Sequence, residues 1–413
     1  MAKSCPGCGA PMEYDPGFDS LVCTVCGNII DPKTLPDADS FYYNNEDADE
    51  GPEDIKDTLS EFEELTGEMY DRHVYKCSQC GGEVLVSGTE ISTKCIYCGS
   101  TSVVFSRITK ENRPDKIVPF SVTKEEAMET VKQKILSGIF MPRGFKKIDP
   151  ELVRGIYIPY FTYDGAITDT QQHRIGVTEK SYVFDGSAEF ENLLVECCKA
   201  LDDRSTALLE PYNVKASVDF DTSYLMGFYS NTQDITPRGA QGTAELKART
   251  IFNSEMRKLS PNKSSKTVSS MPKLELHRTG YILLPAWFIT INAKGTPYTF
   301  LVNGQSGRCT GTAPWSKKKV FSTIALATIA SWIAIIALFT KVIFPNIEKL
   351  SLDEAERLAT GLRLQIIIVA ISLLAGFLLT IAIPKFIRLT RKLKRTGSVT
   401  TQIFVGRRQG GAK

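Results

Sequence analysis

The sequence carries few of the residue patterns that do chemistry. Of its 413 residues only three are histidine (His73, His173 and His277), and no two of them stand at metal-ligand spacing. No Gly-x4-Gly-Lys-Ser/Thr loop, His-Glu-x-x-His or Gly-x-Ser-x-Gly string occurs, which removes the usual signatures of phosphate-loop hydrolases, zinc peptidases and serine hydrolases. The nearest approach, Asn303-Gly-Gln-Ser306-Gly, is too short in its spacing and falls in an expected hairpin turn, so Ser306 reads as a turn residue. Cys197, Cys198 and Cys309 stand outside any pair and read as small core residues. Arg204 beside Asp202 and Asp203 reads as solvated surface. No apolar run follows the start, MAKSCPGC, so no cleavable signal peptide is expected. No catalytic residue emerges, and an enzyme is not expected.

What the sequence does have is paired cysteine. Eight of its eleven cysteines form four Cys-x-x-Cys pairs. Cys5-Pro-Gly-Cys8 is followed, fourteen residues on, by Cys23-Thr-Val-Cys26; Cys77-Ser-Gln-Cys80 is followed at the same interval by Cys95-Ile-Tyr-Cys98. Two such knuckles bring four thiolates to a tetrahedral Zn²⁺. A glycine follows every second cysteine (Gly9, Gly27, Gly81, Gly99), where the tight turn needs positive φ. A thioredoxin-like redox motif would need one pair in a βαβ setting, and an iron–sulfur centre is the other competitor; two matched quartets favour zinc. The expectation is two structural Zn²⁺ sites, because a four-Cys site has no open position for water or substrate. A ribbon of ~25 residues buries too little apolar surface to fold alone, and zinc binding of roughly 10–16 kcal/mol makes up the difference. Ribbons of this kind bind protein or nucleic acid, and the fold does not choose between them.

The overall charge of +2 averages very unequal regions. Residues 31–71 hold fifteen Asp or Glu against Lys33 and Lys56. The first half of that stretch reads as a flexible linker. In the second half Ile55, Leu59, Phe62, Leu65 and Met69 recur at helical spacing, which predicts an amphipathic helix that docks on this protein or on a partner. An acidic tether between two ribbons works against wrapping a polyanion. Beyond Pro384 the balance reverses: nine Lys or Arg and no acid, a topology signal or an anionic-lipid contact.

Two runs without charge, Phe321 to Phe339 and Gln365 to Ile383, are nineteen residues each. As helices they reach ~28 Å, close to the ~30 Å hydrocarbon core. A short polar segment, Pro345 to Arg363, separates them. Lys317, Lys318 and Lys319 before the first run, and the basic tail after the second, orient the pair with both termini cytoplasmic. The expectation is a multi-pass cell-membrane protein with a C-terminal two-helix transmembrane hairpin and all paired cysteines on the reducing side.

Residues 111–315 read as a duplicated α+β domain. The first copy opens with Ile117 to Ser121, then a helix over Thr123 to Leu136, a strand Gly155 to Phe161 and another around Gln171 to Val183. The second opens with Ser217 to Asp221, then a helix over Arg238 to Leu259 and the strand Gly280 to Phe288. A hairpin follows, Tyr298 to Asn303, its turn bracketed by Gly304 and Gly307. The domain plan is therefore ribbon one (1–30), acidic linker (31–72), ribbon two (73–110), duplicated domain (111–315), hairpin (316–384) and basic tail (385–413).

The second ribbon, the Gly155-Ile-Tyr-Ile-Pro159 and Tyr281-Ile-Leu-Leu-Pro285-Ala-Trp287 strands, and Phe300-Leu-Val-Asn303-Gly-Gln-Ser-Gly307 together resemble bacterial membrane proteins with a TFIIB-type zinc ribbon. The ribbon at Cys5 to Cys26 and the acidic linker depart from that pattern. The resemblance implies eight metal-ligating cysteines (Cys5, Cys8, Cys23, Cys26, Cys77, Cys80, Cys95, Cys98) and no catalytic residue. It also implies an envelope-stress or membrane-organising role, with phage-shock-type coiled-coil or SPFH/flotillin-like proteins as partners. The function expected is a non-enzymatic, membrane-anchored scaffold that recruits other proteins. The alternative is a membrane-tethered zinc-ribbon protein that binds nucleic acid.

Overall fold

The computed structural model describes residues 4–34, 69–79, 81–86, 95, 103–136, 152–175, 181–198, 201, 203–259, 265–293 and 296–311, with isolated positions between 316 and 337. The chain divides into two compact units: Met1–Ile135 with Lys146–Gly311 and Thr400–Lys413, and Leu136–Phe145 with Thr312–Val399. The second unit holds few described positions; the elements below belong to the first.

In chain order the strands and helices are β1 (Met12–Asp15), β2 (Ser20–Cys23), β3 (Ile29–Ile30), β4 (Met69–Cys77), β5 (Glu83–Val86), β6 (Val103–Asn112), β7 (Lys116–Ile117) and α1 (Lys124–Val131). Then come β8 (Val153–Ile175), β9 (Ser181–Glu196), α2 (Asp203–Ala207), β10 (Val218–Asp219), β11 (Tyr229–Ser230) and α3 (Pro237–Leu259). β12 (Ser265–Ser270), β13 (Lys273–Ala293), β14 (Thr296–Asn303) and β15 (Cys309–Gly311) complete the set. β1 to β3 form a small sheet; the others among the described residues join in one twelve-stranded sheet.

The axis of that sheet is the pair β8 and β13, which run antiparallel from Val153 opposite Ile289 to Thr168 opposite Lys273. The first part of β8, Ile156-Tyr-Ile-Pro-Tyr-Phe161, is buried on both faces, as a continuous apolar run in a strand should be. Further along, the strand alternates: Ile167, Asp169, Gln171 and His173 are buried, while Ala166, Thr168, Thr170 and Arg174 are exposed. One face there is covered and the other is open. The cover is α3, whose buried residues Pro237, Ala240, Ala244, Ala248, Phe252 and Met256 form one stripe. Small alanines let the helix lie close, and Phe252 and Met256 close its far end over Ile167 and Phe184.

The two halves of the sheet repeat one another with their opening strands exchanged. β7 lies parallel to β13, with Ile117 opposite Leu283. β11 lies parallel to β8, with Ser230 opposite Tyr157. The Val118 amide donates to the Leu283 carbonyl, as the Asn231 amide does to Tyr157. The Cys197 amide donates to the Pro159 carbonyl, and Gly304 to Pro285. The amides of Ser121 and Val122 meet the Gly304 carbonyl, and those of Asp234 and Ile235 meet Cys197. A threonine then caps each helix: Thr123 in a capping box with Glu126, and Thr236 accepting from the Gly239 amide. The second half therefore opens at Tyr229, not at Ser217 to Asp221, which instead supply β10 beside β7.

The expected fold class needs correction. Among the described residues strand outweighs helix, 48% to 25%, so the part described is mostly β sheet and not the expected α+β body, and the helical hairpin is not shown. Among the described residues no helix is long and apolar enough to cross a membrane. α3 is long enough at 23 residues, but Arg238, Glu245, Lys247, Arg249, Glu255, Arg257 and Lys258 distribute charge along it. The expected transmembrane hairpin is therefore not shown, and the multi-pass membrane placement with cytoplasmic termini that rested on it is not supported. The runs 321–339 and 365–383 lie outside the described residues except for isolated positions; length and absence of charge are necessary for a span but do not suffice for one. Residues 35–68 of the linker, which carry all of the amphipathic pattern except Met69, and the basic tail also lie outside the described residues; Met69 opens strand β4 and is not helical.

Two glycine substitutions test this packing with opposite signs. A Cβ at Gly165, beside the irregularity in the β8–β9 pairing, would stand 2.0 Å from the Glu275 carbonyl oxygen. Gly165→Ala should destabilise the fold by about 1–3 kcal/mol. At Gly242, within α3, a Cβ meets nothing within 4 Å, and Gly242→Ala should stabilise by roughly 0.4–1 kcal/mol. Urea unfolding of the two variants checks both; equal effects would contradict the register.

Candidate metal centre

The first two knuckles are built by the same backbone turn. The Gly9 amide donates to the Cys5 carbonyl at 2.8 Å, and the Cys5 amide to Ala10 at 2.8 Å. Gly27 donates to Cys23 at 3.1 Å, and Cys23 to Asn28 at 2.9 Å. Gly9 and Gly27 have φ of 75° and 71°, a conformation a Cβ would penalise. Pairing of β1 with β2, Met12 opposite Cys23, sets the two knuckles face to face. The Sγ atoms of Cys5, Cys8, Cys23 and Cys26 all lie within 4.8 Å of one another. Cys5 to Cys26 is 3.6 Å, and Cys8 is 3.5 Å from both Cys23 and Cys26.

These separations are too long for disulfides, whose sulfurs stand at ~2.05 Å. They match a tetrahedron of sulfurs ~2.3 Å from a central ion, whose edges measure ~3.8 Å. The electrostatics point the same way. The amides of Cys26 and Val25 aim at the Cys23 sulfur and hold its thiol down at about 6. The amide of Gly7, against the cost of burial, lowers Cys5. The Asn28 amide favours the Cys26 thiolate, yet the sulfurs of Cys23, Cys8 and Cys5 together push that thiol up to about 12. Four thiolates cannot all ionise in so small a space without a cation among them. The quartet is a site that could hold a metal, and its four ligands leave no open position.

The ribbon is not a free bead on the linker. The Tyr14 amide donates to the Met226 carbonyl at 3.1 Å, and the Tyr14 ring meets Tyr224 edge-on at 5.3 Å and Phe228 at 6.3 Å. Its phenol bonds to Asp19, and burial with that carboxylate keeps it protonated far above its ordinary range. Ser223 donates to the Pro32 carbonyl. A cavity of about 680 Å³ remains beside this contact, lined by Glu13, Asp15, Glu125, Lys124, Arg154 and Trp287 among others. Sequence reading missed Tyr14. The available signal was two large apolar residues, Met12 and Tyr14, on one face of a ribbon too small to bury them.

Of the second quartet the structure places two members. Cys77 and Cys95 are both buried in one apolar cluster, and Cys80 and Cys98 lie outside the described residues. The turn after Cys77 repeats the first two knuckles: Gly81 donates to Cys77 at 2.8 Å, Cys77 to Gly82 at 2.9 Å, and Gly81 has φ 70°. Thus one four-thiolate cluster, not two, is evident among the described residues. β4, β5 and β6 are part of the main sheet itself, through β5 alongside β11.

The same turn occurs once more without cysteine. In Asn303-Gly-Gln-Ser306-Gly307 the Gly307 amide donates to the Asn303 carbonyl at 3.0 Å and Asn303 to Arg308 at 2.8 Å, with Gly307 at φ 67°. The Asn303 Oδ1 accepts from the amides of Gln305 and Ser306, each at 2.8 Å. Its Nδ2 donates to the carbonyls of Leu209 and Pro211. Asn303 is fully buried and Ser306 exposed, so the string is a structural clamp on the 209–213 loop. His173 is buried, donating or accepting at Gln171 and Thr267, and burial, then Arg257, lowers its pKa. His73 and His277 are exposed on separate strands. Burial raises the Cys197 thiol well above its usual value and also raises Cys309; Cys198 is buried as well. Arg204 falls in the short helix α2.

No protein-family profile matches the chain, and no solved structure matches it. Over 352 residues the chain is 25% identical to YdjG of Bacillus subtilis (strain 168), an uncharacterised protein; the alignment covers 79% of this chain and 95% of YdjG.

Asn303→Ala should destabilise the fold by at least about 1–3 kcal/mol, because it strands buried backbone groups on both sides of the clamp. Ser306→Ala should stay within about 0.5 kcal/mol of the parent. Thermal unfolding of the pair distinguishes a clamp from a site built around Ser306; the reverse order would contradict the clamp.

Proposed function

We propose that the chain is a non-enzymatic interaction scaffold whose ribbons are held by structural zinc, one Zn²⁺ on Cys5, Cys8, Cys23 and Cys26 and a second on Cys77, Cys80, Cys95 and Cys98. The observation that carries this reading is the closed four-thiolate cluster docked on the sheet through Tyr14. Thiolate ligands in a tetrahedron suit zinc. Bound there, the ion would cross-link the two knuckles and neutralise their charge. The protein's own part is to aim amides at the sulfurs and to fix the ribbon's outer face relative to the sheet. Phe18, Val25 and Ile29 of the ribbon are exposed, where a partner protein could bind.

The fourteen-residue interval and the repeated turn at Cys77 support the second site. The resemblance to TFIIB-type zinc-ribbon proteins supports a phage-shock-type coiled-coil or SPFH-type partner and an envelope-stress role. Pull-down with the intact chain should recover such a protein. Recovery of nucleic acid alone, with a steep salt dependence, would favour the nucleic-acid reading instead.

The two sites should differ in what their loss damages. Cys8→Ser should expose residues 4–34 to protease and leave the main sheet intact, because that ribbon is a separate small sheet. Cys77→Ser should also loosen the edge where β5 meets β11. Purified protein should contain about two zinc ions per chain by elemental analysis, falling to about one in either variant. Iron in place of zinc, or no metal in protein purified without chelator, would refute the proposal.

A further inference from the structure

The four sulfurs of the first quartet differ in access. Cys5 and Cys23 are buried, 2% and 3% exposed, whereas Cys8 and Cys26 are exposed. The backbone accounts for the difference. Cys23 ends β2 opposite Met12, and Cys5 follows the bridge between Ser4 and Pro11, so both are held at the sheet. Cys8 and Cys26 each end a turn. Donors also fix the inner pair: the Cys26 amide reaches the Cys23 Sγ at 3.5 Å, and the Asn28 side-chain amide reaches the Cys5 Sγ at 3.9 Å. The two outer sulfurs, one from each knuckle, stand 3.5 Å apart on the exposed side.

We infer that Cys8 and Cys26 are an oxidation site for hydroperoxides, closing as a disulfide between the knuckles while Cys5 and Cys23 stay reduced. This rests on the metal reading above, under which all four sulfurs ligate as thiolates and access decides among them. One outer thiolate attacks a peroxide oxygen; the O–O bond breaks, hydroxide leaves and a sulfenic acid forms on that sulfur. The other outer thiolate attacks the sulfenic sulfur, forming the S–S bond and expelling a second hydroxide. Solvent protonates both hydroxides to water. The two sulfurs lose two electrons, and the peroxide gains them. Closure needs the sulfurs to move from 3.5 Å to ~2.05 Å, a shift confined to two turn residues that leaves the pairing of β1 with β2 in register. Cys23 is as near to Cys8, at 3.5 Å, but its sulfur is buried and held by the Cys26 amide. Closure within one Cys-x-x-Cys pair would likewise draw a buried sulfur outward. Cys5 and Cys23 then remain as two thiolates, too few for a closed four-sulfur site, so oxidation empties it.

Disulfide mapping of the full chain tests it. Metal content is measured first, then the chain is titrated with hydrogen peroxide and its free thiols are blocked with N-ethylmaleimide. Cleavage after Lys3, Glu13 and Lys33 separates the knuckles into peptides 4–13 and 14–33. The two peptides should be joined through Cys8 and Cys26, with maleimide on Cys5 and Cys23, in at least tenfold excess over any other linkage among the four. Dimedone present during oxidation should label Cys8 or Cys26 at the expense of that link. Native mass spectrometry should show one zinc ion lost with the linkage. Protein that holds no zinc before oxidation would overturn both this inference and the metal reading. Zinc-loaded protein whose linkage lies within a knuckle or runs through Cys5 or Cys23, or whose two peptides stay unlinked, would overturn this inference alone.

Discussion

The antiparallel pairing of β8 with β13 is the constraint on which the other elements depend. Each strand carries one proline in its buried middle, Pro159 opposite Leu283 and Pro285 opposite Tyr157. Each proline carbonyl receives an amide from the turn that ends the neighbouring hairpin, Cys197 or Gly304. That turn's carbonyl in turn orders the residues before a helix cap. A slip of one residue between β8 and β13 would turn every side chain to the opposite face. It would also separate both helices from the strands they cover.

The ribbons use this frame in different ways. The first is a small sheet of its own that leans on Tyr224, Phe228 and Met226 through Tyr14. The second has given up independence: β5 continues the main sheet beside β11, at the position where β10 stands beside β7 in the other half. A closed thiolate site on a docked ribbon fixes a surface in place without offering a reaction coordinate. The clamp at Asn303 shows how the same knuckle turn is used where no metal ligand is present, with a side-chain oxygen replacing the sulfur as acceptor.

The knuckles were legible in the sequence because they are local. A Cys-x-x-Cys-Gly string states both the ligands and the positive φ that the turn requires. The strands Gly155 to Phe161 and Gly280 to Phe288 were legible for a similar reason, an apolar run too dense for a half-exposed strand. The exchange of β7 and β11 between halves was not, since nothing local says which long strand a two-residue strand will join. Ser217 to Asp221 looked like the start of a second copy because its Val-x-Phe pattern suits a strand; it is one, but paired to β7. The charge-free runs beyond residue 320 suggested a transmembrane hairpin from length and hydropathy alone, and the structure did not support it. Tyr14 was overlooked because its role depends on residues more than two hundred positions away.

The cysteine ligation proposed above is closed and structural. X-ray absorption at the zinc edge of the purified chain tests it most directly. A first shell of four sulfurs at ~2.3 Å, with no oxygen or nitrogen scatterer, is expected. A shell with an oxygen or nitrogen ligand, or a metal edge other than zinc, would contradict it.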